Sequence, residues 1–203
     1  MIPTVILFGS SLVPVTGVIW YLDHYESPTL TFRLVVYSFI VGGVLGVLMA
    51  SLAESWLLSD GLLVYFGVGF IEELVKLVAL FFVARKLGTY RFRDGIVLGA
   101  TVGFGFAALE SSGYALTALI VPAQNGVALS LGSLVSTEVL RGLLSPIGHG
   151  LWTAIVGGVL FHAARNGHLR ITGGAVGAYV FVAILHGLWD SMHGIAIILT
   201  EIL

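Results

Sequence analysis

The stretch GFIEELVKLVALFFVA, residues 69–84, decides how this chain is read. It has the length and apolar character of a membrane span, yet Glu72, Glu73 and Lys76 sit inside it. Glu72 and Lys76 are one helical turn apart and can pair, whereas Glu73 points about 100° away. An ionisable group inside a bilayer costs several kcal/mol unless it is paired or solvated. The pairing accounts for Glu72 and leaves Glu73 in need of a reason from elsewhere in the chain.

The rest of the chain fits a bilayer. Of 203 residues, 58% are hydrophobic and 10% charged, with a mean hydropathy of +1.04, against roughly 25% charged in a soluble domain. Apolar runs fall at about 3–22, 34–58, 61–84, 95–121, 146–164 and 171–192, each near the ~20 residues a spanning helix needs. They do not alternate polar with apolar, which excludes a membrane β-barrel. The expected fold is all-α, a polytopic transmembrane bundle of about 6–8 helices. No Lys or Arg precedes Arg33, so the N-terminal run lacks the positive flank of a signal peptide and reads as a retained first helix. Without linkers or internal repeats, 1–203 reads as one integral membrane domain, with 1–58 as scaffold helices and 61–192 as the motif-bearing core.

Charge placement predicts orientation. Arg85, Lys86, Arg91 and Arg93 share one polar loop, Arg165 and Arg170 another, and Arg33 lies near a third. The positive-inside rule puts all three in the cytoplasm, which leaves the N-terminus outside. Residues 95–164 then hold one candidate helix too many. The most polar, VALSLGSLVSTEVLRGLL at 127–144, is expected to be an interfacial or re-entrant helix on the outer side. Its Glu138 and Arg141 are expected to pair at i,i+3 on a wet face, with substrate gating as the minor alternative. The tail after His193 is too short to cross unless it continues the preceding helix.

Other polar groups are scattered through the apolar runs. FGFAALESS puts Phe106 and Glu110 on one helical face, with no other charge between Gly95 and Val121. His149 follows Pro146 near the outer end of its helix, and LHGLWDSMH sets His186 and Asp190 at i,i+4 with His193 three further on. With no cysteine, any metal must be held by imidazole and carboxylate. Several carboxylates and two histidines, with one glutamate left over as a base, match what a catalytic zinc site requires. HExxH does not occur. For any single pair a buried ion pair that stabilises packing is the simpler reading, but for the whole set it is not. The net charge of −2 and the lack of a basic patch give no support to nucleic-acid binding.

These residues resemble a known family. EELVK is similar to the EExxK motif of the PrsW intramembrane proteases, Phe106 to Glu110 matches FxxxE, and His186 to Asp190 matches HxxxD. FRDGIVLGATVGFGFAALE and SPIGHGLWTAIVGG resemble that family's flanking segments, and the likeness covers roughly residues 65–192. The related CAAX prenyl proteases carry EExxxR, FxxxH and HxxxN; Leu77, Glu110 and Asp190 stand at the differing positions and favour PrsW. Ser111 stands where the family often has Asn, so a hydrogen-bond partner of the glutamate differs.

The resemblance implies a glutamate-dependent, metal-assisted peptidase acting on a membrane-tethered protein at its extracytoplasmic side. The known bacterial member acts on an anti-sigma factor. On this reading Glu72 or Glu73 activates water, and if Lys76 pairs with Glu72, Glu73 is the freer base. His149, His186 and Glu110 hold a divalent metal, zinc above others, or polarise the scissile carbonyl. Asp190 is a further ligand or supports His186, and Lys76, Phe106 and Ser111 support the site. The partners are then a membrane-anchored substrate and the lipid bilayer. Two rivals remain: a proton- or ion-coupled transporter, whose paired broken helices in two related halves are missing here, and a non-catalytic peptide-binding membrane protein.

Overall fold

In hydrocarbon every backbone N–H and C=O must be satisfied within the protein, and a helix does this within one segment. The computed structural model describes residues 2–25, 27–59, 61, 63–123, 126–144 and 146–202. Of 193–202 it gives the helical backbone alone, so the side chain of His193 lies outside the described residues. The apolar runs are helices: α1 (Ile2–His24), α2 (Phe32–Ile40), α3 (Val47–Leu57), α4 (Val64–Ala84), α5 (Phe92–Leu119), α6 (Leu131–Leu144), α7 (Leu151–His162) and α8 (Gly173–Ile202). Thr31 caps α2, its hydroxyl accepting from the Leu34 amide at 3.2 Å. A π-helical segment, Val41–Gly46, joins α2 to α3 without a break.

Among the described residues four stretches are long and apolar enough to cross a membrane: Phe32–Leu57, Phe92–Leu119, Leu131–His162 and Gly173–Met192. The third bends at Gly148, whose φ of −89° and ψ of −119° are not helical. α4 has 21 residues, enough to span, and carries three charges along its length. The chain is a multi-pass membrane helical bundle. The tail continues α8 as helix through Ile202.

The structure corrects the expected helix over 127–144. β1 (Ile120–Ala123) and β2 (Gly126–Leu129) form an antiparallel hairpin, with Ile120 opposite Leu129 and Ala123 opposite Gly126. Gly126 has a φ of +129°, which only glycine adopts readily, and it follows Asn125 in a hairpin-forming dipeptide. Helix begins only at Leu131 and runs 14 residues, about 21 Å and short of the ~30 Å hydrocarbon layer. It buries Leu134, Glu138 and Gly142 and leaves Val135, Val139 and Leu143 exposed.

α5 is the central helix, in contact with α1, α2, the π-helical segment, α6 and α7. The main core gathers Leu80, Val83, Leu98, Val102, Leu160 and Phe161 from α4, α5 and α7. Outside it, Leu48, Leu52, Leu74, Val78, Phe181 and Leu188 are exposed on successive turns of α3, α4 and α8. An apolar perimeter around buried ionisable groups is the pattern lipid demands. Glycine lets α5 and α7 touch backbone to backbone: a Cβ on Gly99 or Gly103 would meet the carbonyl of Thr153 or His149. That contact sets how far His149 reaches into the bundle.

The basic loops share one end. The turn at Gly167 lies against the Gly88 carbonyl, so the segments bearing Arg85 to Arg93 and Arg165 to Arg170 are neighbours. At the same end Asp94 is fully buried and accepts from Thr29 Oγ1 at 2.7 Å and the Tyr25 hydroxyl at 3.2 Å, tying the α1–α2 connection to the start of α5.

Candidate active site

The three charges of α4 face inward. Glu72, Glu73 and Lys76 are buried, with Lys76 at 0% exposure despite its length. The approach of α8 is as close as that of α7 to α5: a Cβ on Gly69 would press on the Ala183 carbonyl and the Gly187 amide. The His186 Cβ lies at the same contact, 3.3 Å from that position, and Glu72 and Glu73 follow one turn further along α4.

Lys76 reaches Glu72, the partner the helical spacing suggested, but lies closer to Glu73. Its Nζ donates to Glu73 Oε1 at 2.7 Å and lies 3.4 Å from Glu72 Oε2. It also sits 2.7 Å from His149 Nδ1 and 4.2 Å from the centre of the Phe106 ring. Both i,i+3 and i,i+4 are within reach on a helix. The histidines and the aromatic ring from other helices determine where the ammonium rests. Its three N–H groups thus face three acceptors, which satisfies an ammonium completely. Lys76 thus holds both glutamates, Glu73 at the shorter distance.

Each histidine has a carboxylate on the ring nitrogen turned away from the centre. His149 Nε2 lies 3.0 Å from Glu110 Oε2, leaving Nδ1 toward Lys76 and, at 3.9 Å, Glu72 Oε2. His186 Nδ1 lies 3.0 Å from Glu73 Oε1, leaving Nε2 at 3.6 Å from Glu72 Oε2 and 3.3 Å from Asp190 Oδ2. A neutral imidazole has one N–H. With carboxylates on both sides of the His186 ring, one side requires a second proton or a metal ion. Trp152 packs 4.7 Å from the His186 ring and 5.6 Å from the His149 ring, closing the site on the α7 side.

Glu110 sits at the edge of this cluster. Arg141 of α6 binds its Oε2, donates from Nε to Ser111 Oγ at 3.0 Å and lies 3.9 Å over the Tyr114 ring. The expected Glu138–Arg141 pair is therefore absent. Glu138 is buried against Gly9 of α1, and neither of its carboxylate oxygens has a hydrogen-bond partner among the described residues. Ser111, at the variable position of the motif, supplies the acceptor that holds Arg141. Sequence reasoning did not find this clasp. The available signal was that Arg141 is the only Lys or Arg between Arg93 and Arg165, as Glu110 is the only acid between Asp94 and Glu138.

Among the described residues one group has the geometry of a metal site: Glu72, His149 and His186, with one ligand atom each, all within 4.8 Å of one another. Ligands about 2.0–2.1 Å from one tetrahedral ion lie about 3.3 Å apart. The separations of 3.6 and 3.9 Å from Glu72 Oε2 to the two nitrogens are close to this. Two imidazoles and a carboxylate are a catalytic zinc donor set, and each imidazole is oriented by a carboxylate behind it. The residues fit such an ion. In this arrangement Glu72 joins the two histidines, while Glu110 and Asp190 stand behind or beside them.

Paired glutamates, two histidines and a lysine thus meet inside a multi-pass membrane helical bundle. The sequence matches the model described as "PrsW family intramembrane metalloprotease" over residues 30–202. The chain belongs to the PrsW family of intramembrane proteases. It is 29% identical over 195 residues to Protease PrsW of Halalkalibacterium halodurans, covering 92% of this chain and 82% of that one. It is 27% identical over 191 residues to Protease PrsW of Geobacillus kaustophilus, covering 91% and 78%. No solved structure matches. The family match starts at residue 30, so it takes in α2 and α3 as well as the motif-bearing helices.

Proposed function

We propose that this protein hydrolyses a peptide bond of a membrane-anchored protein at the site formed by Glu72, Glu73, His149 and His186. The observation that carries the reading is the convergence of Glu72, His149 and His186 from α4, the Pro146–Gly150 segment and α8. A scaffold would pair its charges off. Here three ligand-type atoms converge on one point.

Glu72 Oε2, His149 Nδ1 and His186 Nε2 would hold a divalent metal, with zinc favoured by the donor set. Such an ion supplies Lewis-acid polarisation of the scissile carbonyl and makes water more acidic. Lys76 shares His149 Nδ1 and keeps Glu73 as its partner when that nitrogen is taken. Glu73 is the base: it takes a proton from the attacking water as the C–O bond forms, then gives it to the amine as the C–N bond breaks. Lys76 and the His186 Nδ1–H fix the Glu73 carboxylate in place. Glu110, held by Arg141 and Ser111, orients His149 through Nε2, and Asp190 lies beside His186 Nε2. Phe106 and Trp152 wall the site against bulk water.

The clustering of seven of the nine cations at the opposite end supports an extracytoplasmic site and N-terminus. The chain acts as one integral membrane domain, and the family resemblance points to an anti-sigma factor as the substrate. The test uses purified protein, a membrane-anchored peptide and elemental analysis. Undiminished turnover in Glu72→Gln and His149→Ala would overturn the proposal. Active protein with no transition metal and no response to chelators would remove the metal and leave a glutamate-based hydrolysis.

A further inference from the structure

A groove of about 600 Å³ runs between α3 and the start of α4, away from the motif residues. Ser51, Glu54, Ser55 and Ser59 form one wall, and Val64 and Val68 the other. Ser51, Glu54 and Ser55 share a face of α3 by their i,i+3 and i,i+4 spacing. Val68 lies one turn before Glu72 on the same face of α4, so the groove ends about one helical turn from the catalytic cluster. It opens at the end of the bundle where α3 stops, three residues past Glu54.

Glu54 itself is not accounted for by the fold. Its Oε1 is buried without a hydrogen-bond partner among the described residues. The charges of Glu110, Lys76 and Asp190 act on it, and it in turn acts on Glu72. The site has five carboxylates, Glu54, Glu72, Glu73, Glu110 and Asp190, and two cations. Lys76 is engaged by Glu73 and His149, and Arg141 by Glu110 and Ser111. Among the described residues no cation is left for Glu54. A carboxylate kept at the edge of a bilayer without an internal counter-charge is suited to one that arrives with a ligand.

We propose that this groove binds the segment of the substrate next to its scissile bond, and that Glu54 selects a Lys or Arg side chain there. This rests on the proposed proteolysis. The three serines offer hydroxyls to the peptide backbone of an extended segment, and the two valines an apolar wall to its side chains. A lysine just outside a membrane span would reach Glu54 while the chain behind it passes Glu72. The groove thereby gives α3, which bears none of the motifs, a part in choosing the substrate.

Full-length protein in nanodiscs is given single-span peptides that differ only in Lys or norleucine at successive positions outside the span. Wild type should cleave the Lys peptide with kcat/KM about tenfold higher at one position, expressed in KM, as expected for a desolvated charge pair. Glu54→Gln should bring that ratio to within about twofold, and Glu54→Lys should invert it toward a Glu peptide. Ser51→Trp, at an exposed position on the groove wall, should weaken both peptides. A second arm measures binding of the labelled peptides to His149→Ala, with and without Glu54→Gln, by fluorescence anisotropy. That arm tests the groove even if no peptide is cleaved, in which case the proteolytic reading fails separately. Equal discrimination with Glu54 or Gln in both arms overturns the proposal. So does discrimination that is absent in zwitterionic lipid and emerges only in lipid lacking an ammonium group, which would assign Glu54 to lipid headgroups.

Discussion

Two buried polar clusters stand at opposite ends of the bundle, and they are built differently. At the basic end Asp94 is wholly buried, with one hydroxyl donor on each carboxylate oxygen. At the other end Glu72, Glu73, Glu110 and Asp190 crowd two imidazoles, and Lys76 and Arg141 are shared among several acceptors. The first cluster is complete: its donors match its acceptors, and its role is to tie the α1–α2 connection to α5. The second keeps more negative charge than its own cations offset. Burial of a charge is therefore a poor sign of function by itself. Several carboxylates converging on two imidazoles are a better one, because like charges held together cost stability and are kept where they do chemistry.

The comparison can be broken by substitution. Glu72→Gln, His149→Ala and His186→Ala should each reduce cleavage of an anchored peptide to background and lower the bound metal measured by elemental analysis. Glu73→Gln should reduce kcat by about 10²- to 10⁴-fold, the range of a general base, while bound metal is retained. Loss of metal in that variant would make Glu73 a ligand and reverse the roles given to the two glutamates. Arg141→Met should cost about 10–100-fold in activity or metal affinity, because it frees the carboxylate behind His149. Asp94→Ala should leave activity per folded molecule unchanged and cost about 1–3 kcal/mol in stability, by removing the shared acceptor of two hydroxyls. Thermal melting in detergent measures that loss. If Asp94→Ala abolished activity in a folded protein, the two clusters would not differ in kind.

Much of the architecture was legible because lipid narrows the choices. Long apolar runs must be helices, and helices are what form over 32–57, 64–84, 92–119 and 173–202. The hairpin at 120–129 was missed because its strands are four residues each, too short for a period to emerge beside a helix. The polar residues of the motifs were also legible, since each is expensive in a bilayer and so stands out. Their partners were not. Lys76 has two glutamates within one turn, and local spacing does not rank them. The ranking comes from His149, Phe106 and His186, which are 30 to 110 residues away in sequence. Arg141 likewise had a local partner in Glu138, but Glu110 and Ser111 of α5 bind it instead.

The stretch at 69–84 by itself established that a membrane helix carries one carboxylate too many for its own lysine, because covalent spacing along a helix is fixed at 1.5 Å per residue. Which carboxylate is clamped, and which faces the two histidines, was decided by the contacts of α4 with α8 and of α5 with α7. Those contacts depend on how closely glycine-lined helices approach one another. Only the assembled bundle sets that distance.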